Sequence, residues 1–186
     1  MRLTCWIADG LCSRKLKRDD FLGQHVVDVC LLTETHLGAG EAFRMANYVC
    51  NRTDRLTERG GTAILVRRSI DHCAVPVKSL KHPEAAAVQV MLASKPVKIL
   101  AVYLSPSQPV IDSDLSACRG GGLRVPIAGD LNAKNVDWNS RLSTTRGSLL
   151  RNYDSEHSCL IDGLDTPTAV PYNSSSTPNT SLSQKT

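Results

Sequence analysis

Aromatic side chains are scarce in this sequence. Two Trp, four Tyr and two Phe make up 4% of its 186 residues, so any core must be mostly aliphatic. Long apolar runs are missing too. None approaches the ~18 residues that read as a membrane-spanning helix. The opening "MRLTCWIADG" is too short and too mixed for a secretory signal. There is no Cys-x-x-Cys pair, and the seven cysteines are an odd number. That argues against a disulfide framework and against a zinc cluster, and a reducing compartment fits best. Charge bias is weak, with a net charge of +4. This balance permits a nucleic-acid partner without demanding one. The densest basic run, "SRKLKR" at 13–18, reads as a solvated helix face. No internal repeat is visible.

What is present is ordinary for one soluble domain: 41% hydrophobic and 22% charged residues. "RLTCWI" reads as a first strand. "SRKLKRDDFLGQH" reads as a helix, with Ser13 as cap and Leu16, Phe21 and Leu22 near one face. "VVDVCLLT" reads as a buried strand, followed by a Gly-rich polar loop. "GGTAILVRR" is a strand entered through a glycine pair. "AAAVQVML" and "VKILAVYL" form a hairpin that turns at "ASKP". "VIDSDLSAC" is a short helix, "LRVPIAGD" a strand and "RGSLLRNYDSEH" a helix. Hairpins mixed with helices predict an α/β (α+β) protein in which helices cover mostly antiparallel sheets. From Asp165 the composition turns to Ser, Thr, Pro and Asn. The domain is therefore drawn at 1–170, with a poorly ordered tail over 171–186.

The stretch "VPIAGDLNAKNVDWNS" ends a greasy run with Gly-Asp-Leu-Asn. Gly, Asp and Asn are ordinary turn formers. Yet Asp130 and Asn132 are two apart and would share a face of a strand. Other buried strands end in the same way. "RLTCWI" runs into Asp9, "VVDVCLLT" into Glu34, Thr35 and His36, and "VKILAVYL" carries Tyr103. Several such endings suggest a site at one rim of a sheet. Carboxylates gathered there repel each other unless a cation or proton intervenes. Hard oxygen ligands without a Cys or His cluster point to Mg²⁺ or Mn²⁺. A divalent ion beside a carboxylate that can orient water suits phosphodiester hydrolysis.

"CWIADGL", "LLTETHL", "GGTAILV", "AVYLSP" and "AGDLNAKNVDWNS" occur in that order. In this the chain resembles the endonuclease/exonuclease/phosphatase superfamily. More closely, it is similar to the endonuclease domain of jockey-type non-LTR retrotransposons. The wording "RGGTAILVRR" and "RGSLLRNY" adds to that likeness. The resemblance implies a four-layered α/β sandwich of the deoxyribonuclease kind. It also implies a Mg²⁺-dependent nick in double-stranded DNA, whose 3′-hydroxyl primes reverse transcription. By motif, Glu34 falls on the metal-ligand carboxylate and Asp9 on an acidic neighbour of the metal. Asp130 falls on the residue that orients or deprotonates water, and Asn132 on the amide that holds the phosphate. Tyr103 falls on the tyrosine near that phosphate. The family motif gives His36 no fixed role. Arg67, Arg68, Lys134 and Asn135 are assigned to nucleic-acid binding. No membrane, small-molecule cofactor or oligomer is implied, and an intracellular site in cytoplasm and nucleus is expected.

Two departures qualify the likeness. The family's opening motif pairs Trp with Asn, whereas Trp6 is followed here by Ile7. The family also closes on a strand bearing Asp and then a Ser-Asp-His type motif. Here the five histidines all lie at or before His157, and the sandwich is expected to be incomplete at its C-terminal side. Nicking is therefore expected to be impaired. The alternative is a remnant that binds DNA without cutting it. A phosphatase acting on inositol lipids or sphingomyelin is disfavoured, because no membrane-binding apolar or polybasic element is present.

Overall fold

The computed structural model describes residues 1–12, 21–53, 60–77, 80–120, 125–157 and 180–181. Among these, nine strands form two sheets. They are β1 (Leu3–Ile7), β2 (Val29–Thr33), β3 (Tyr48–Thr53), β4 (Thr62–Arg67), β5 (His72–Ala74), β6 (Glu84–Leu92), β7 (Lys95–Tyr103), β8 (Ile127–Ala133) and β9 (Thr180–Ser181). The first sheet has the order β1-β2-β4-β3 and the second β5-β6-β7-β8-β9. β1 pairs parallel with β2, and β7 with β8. The remaining pairings are antiparallel. Helices α1 (Asp112–Arg119) and α2 (Thr145–His157) and a 3-10 turn (Val136–Trp138) complete the frame.

Strand periodicity sorts the apolar residues into three layers of core. Val29 and Leu31 of β2 and Ile64 and Val66 of β4 face Val88, Val90, Ile99 and Ala101 of the second sheet. Their neighbours Cys30, Leu32, Ala63 and Leu65 face the other way, onto Leu22 from a helical turn at 21–24. On the far side, Leu100 and Val102 pack against Cys118 of α1 and Leu150 of α2. The layers run helix, sheet, sheet, helix, which is the expected four-layered sandwich. β2 is buried at every residue, as a strand covered on both faces must be.

Several local expectations change. The hairpin turns at Ala93 and Ser94 alone, both with positive φ (47° and 63°). A two-residue turn of that hand matches the twist of its strands. Lys95 and Pro96 therefore belong to β7. Pro96 is tolerated because pairing with β8 begins only at Leu100. β3 lies where only loop was expected, and β5 in a stretch to which no element was assigned. Both are outermost strands of their sheets, and the mixed sequence of β3 carries no strong alternation. β2 starts at Val29 and not at Val26, which adopts a left-handed φ of 49°. α1 likewise starts at Asp112. Ser13 and Leu16 of the expected first helix lie outside the described residues. So does the expected tail, apart from Thr180–Ser181, which pairs antiparallel with β8.

Candidate active site

β1 and β2 run parallel, so both deliver their C-terminal ends to one rim. Their pairing continues past the strands. Ala8 N donates to Thr33 O (2.8 Å), Gly10 N to Glu34 O (2.9 Å) and Leu11 N to Thr35 O (2.9 Å). On the other flank, His36 N donates to Gly60 O (2.9 Å) and Thr35 N to Gly61 O (3.3 Å). The Glu-Thr-His tripeptide is thus laced on both sides. Asp9, Glu34 and His36 have φ of 46°, 53° and 52°, a region that costs an L-residue about 1–2 kcal/mol. The two ladders hold them there. Each of the three offers one ligand atom, and these atoms lie within 4.8 Å of one another. Two carboxylates and an imidazole at that spacing could hold a divalent cation. Gly61 suits this place, because its φ is 87° and a Cβ there would lie 2.3 Å from Thr35 Oγ1.

The second sheet contributes one row of polar groups. Tyr103 of β7 sits opposite Glu84 of β6 on one side and Asp130 of β8 on the other. Residues in register share a face, and this row continues the face that carries Ile99 and Ala101 into the inter-sheet core. The Tyr103 hydroxyl lies near the Glu34 carboxylate, so the two sheets meet here. Glu84 reaches back to accept from Gly61 N. Burial, then the Glu34 carboxylate, then Asp130 and Glu84, push the Tyr103 phenol up to about 12. It stays protonated at neutral pH and acts as a donor.

Asp130 is 2% exposed. Its Oδ1 accepts from Asn132 N at 2.7 Å, and Asn132 Nδ2 donates to Leu104 O at 3.1 Å. β8 does not end at Asp130, as its turn-forming residues suggest. It runs on to Ala133 with a register shift between the two, and Asn132 takes a φ of 50° in that irregularity. Gly129 has its own reason: a Cβ there would meet Val102 O at 1.8 Å. Cys5 of β1 lies near enough for burial, then the charge of Asp130, to push its thiol up to about 12. Ile7 is in register with Thr33, and Thr33 with Thr62. Both threonine Oγ1 atoms are buried without a hydrogen-bond partner. The alkyl group of Ile7 therefore adjoins the Thr33 hydroxyl, which it cannot satisfy.

Asp9, Glu34, Tyr103, Asp130 and Asn132 thus meet at one rim. Lys134 and Asn135 follow directly on β8. Asn135 is buried, and its side chain caps the 3-10 turn by accepting from Asp137 N. Arg67 and Arg68 are not brought to the rim. They sit at the opposite end of β4, where Arg67 pairs with Asp28 at 3.8 Å and Arg68 N donates to Asn47 O.

Two residues at the site escape a scan for polar strand endings. Glu84 begins β6, and an antiparallel strand can begin at the rim where its neighbours end. Arg146 lies at the start of α2. Its guanidinium donates to the carbonyls of Leu131 (3.0 Å), Asn132 (3.4 Å), Ser105 (3.2 Å), Pro106 (2.9 Å) and Gln108. It clamps together the segments that follow Tyr103 and Asp130. Desolvation lowers its pKa, while Asp130 and Tyr103 oppose that shift. The next residue, Gly147, allows this approach, since a Cβ there would lie 1.8 Å from Lys134 O. The Arg-Gly pair in "RGSLLRNY" is therefore a clamp and its clearance.

The profile of the Endonuclease/Exonuclease/phosphatase family matches residues 19–184. The chain belongs to this family. Among curated relatives, it is 28% identical over 176 residues to "RNA-directed DNA polymerase from mobile element jockey" of Drosophila funebris, covering 93% of this chain and 19% of that protein. It is 32% identical over 181 residues to "Probable RNA-directed DNA polymerase from transposon X-element" of Drosophila melanogaster, covering 92% and 19%. The chain thus spans about a fifth of the length of these relatives. In fold it is similar to "Endonuclease domain of TRAS1, a telomere-specific non-LTR retrotransposon", with a TM-score of 0.70 and 20% identity over 89% of this chain and 77% of that one. The motif resemblance and the sandwich agree with this membership.

Proposed function

We propose that the chain is the endonuclease domain of a jockey-type non-LTR retrotransposon. It nicks double-stranded DNA with Mg²⁺ or Mn²⁺ and leaves a 3′-hydroxyl for primed reverse transcription, working in the nucleus after synthesis in the cytoplasm. The observation that carries this reading is the meeting of Asp9, Glu34 and His36 with Tyr103, Asp130 and Asn132 at one rim. These residues come from both sheets and from positions more than a hundred apart.

Asp9 and Glu34 would hold the cation, to which hard carboxylates are suited. When bound, the ion supplies charge neutralisation at the phosphate and makes water easier to deprotonate. Asp130, its carboxylate fixed by Asn132 N, orients the attacking water and takes its proton. The Asn132 amide and the protonated Tyr103 hydroxyl donate to phosphate oxygens as charge develops on them. Lys134, beside the rim, steadies the DNA backbone.

Ile7 offers no hydrogen bond at this site. Loss of one donor to a developing oxyanion costs about 10²–10³ in rate, so nicking runs on that order below a relative with a polar residue there. The assay is conversion of supercoiled plasmid to open circles with Mg²⁺. Slow nicking is expected, stopped by EDTA and abolished by Glu34→Ala. A second reading, favoured by Ile7, is a DNA-binding remnant. Salt-dependent binding of duplex DNA with no nicking at any Mg²⁺ concentration would decide for it.

A further inference from the structure

We propose that His36 is a ligand of the bound cation, and that its nitrogen shifts the site's preference from Mg²⁺ toward Mn²⁺. This rests on the metal-dependent reading above but concerns a residue to which the motif resemblance assigns no role.

Glu34 and His36 are two residues apart on a segment hydrogen-bonded along both flanks, and Asp9 is tied to it through Gly10 N and Glu34 O. The three are therefore parts of one laced scaffold. Their ligand atoms lie within 4.8 Å of one another. Around one octahedral ion with bonds of about 2.1 Å, opposite ligands are about 4.2 Å apart. Three ligands have at most one opposite pair and the others stand about 3.0 Å apart, so donors held within 4.8 Å of one another draw in by up to about 1 Å each, a side-chain rotation, to share the ion.

The donor set then decides which ion is favoured. Mg²⁺ is small and hard, demands oxygen ligands and gives up water reluctantly. An imidazole nitrogen in its shell replaces an oxygen and is poorly matched. First-row divalent ions accept nitrogen and oxygen together, with Mn²⁺ the weakest binder of that series. Two carboxylates alone would suit either ion. Adding His36 tips the balance toward Mn²⁺. If His36 were only an imidazolium paired with the two carboxylates, it would leave the ion when the ion bound, and no preference would follow.

The test uses the whole chain and MnCl₂. Continuous-wave electron paramagnetic resonance follows free Mn²⁺, and pulsed resonance detects a ¹⁴N nucleus bonded to the ion. One saturable site with nitrogen coupling is expected, and Mg²⁺ should displace Mn²⁺ only at about tenfold excess or more. His36→Asn keeps a residue at ease in the left-handed backbone and exchanges nitrogen for an amide oxygen. It should abolish the coupling and lower the Mn²⁺ preference by about tenfold, the low end of what even outer-shell partners contribute. Saturable Mn²⁺ without nitrogen coupling, or an unchanged preference in His36→Asn, would overturn the proposal and leave the metal-dependent reading standing. Absence of saturable binding in the unmodified chain, matched by Glu34→Ala, would overturn both. Should His36→Asn fail to fold, nitrogen coupling in the unmodified chain decides alone.

Discussion

Gly147→Ala sets two effects against each other. Within a helix, replacing Gly by Ala ordinarily gains about 1 kcal/mol. Here the new Cβ would sit 1.8 Å from Lys134 O, 2.6 Å from Lys134 C and 3.3 Å from Asn135 N. A carbon–oxygen contact wants about 3.3 Å, so α2 must withdraw by roughly 1.5 Å. A gap of 0.5–1 Å already forfeits about a quarter to a half of the contact energy. Leu150 and Tyr153, 1% and 4% exposed, anchor this helix. Their burial is worth about 2 kcal/mol each, so about 2 kcal/mol is lost. Arg146 moves with the helix and would release at least one of its carbonyls, at about 1.5 kcal/mol for a charged hydrogen bond. The losses exceed the gain, for a net destabilisation of about 2–3 kcal/mol. Urea unfolding followed by far-UV circular dichroism measures it. The exposed neighbour Ser148→Ala is the control and should gain up to about 0.5 kcal/mol. A Gly147→Ala chain as stable as the unmodified one would refute the close approach of α2 to β8, and with it the clamp that Arg146 makes.

Alkaline pH gives a second check. Burial raises Cys5 to about 12, Cys118 to about 11 and, with Glu34, Tyr103 to about 12, against ordinary values of 9.0 for the thiols and 10.0 for the phenol. Folding favours the protonated forms. That contribution is complete below the ordinary values and is lost as pH rises through the raised ones. Stability to urea should therefore fall from pH 9.0 upward, and Tyr103→Phe should flatten the part above pH 10.0; a level profile in both proteins would contradict the burial. Ile7→Asn places an amide beside the unpartnered Thr33 hydroxyl. It should cost under about 1 kcal/mol, whereas a loss of about 3 kcal/mol, as for an unpaired buried amide, would show that the hydroxyl does not reach it. Asp130→Asn should lower plasmid nicking by about 10²–10⁴, the usual contribution of a positioned acid or base; nicking at an unchanged rate would remove Asp130 from the chemistry.

Most interior strands were legible without a structure, since burial of alternating or continuous apolar residues is written in local pattern. β2, β4, β6 and β7 are such runs, and so is the approach of β8 to Asp130. The polar endings of β1, β2, β7 and β8 were equally local, and they mark Asp9, Glu34, Tyr103 and Asp130. Of the outermost strands, β1 was legible but β3 and β5 were not. β3 and β5 pair along one side only, so fewer of their positions need be apolar. Nor does a sequence say which end of a strand lies at a given rim. That depends on the direction in which each strand runs in its sheet. Antiparallel pairing brings the start of β6, and so Glu84, to the site. The same pairing carries the Arg67 end of β4 to the opposite side. Local pattern chose the strands and most of the charged groups at the rim. Strand direction and the packing of sheet on sheet decided which of those groups meet.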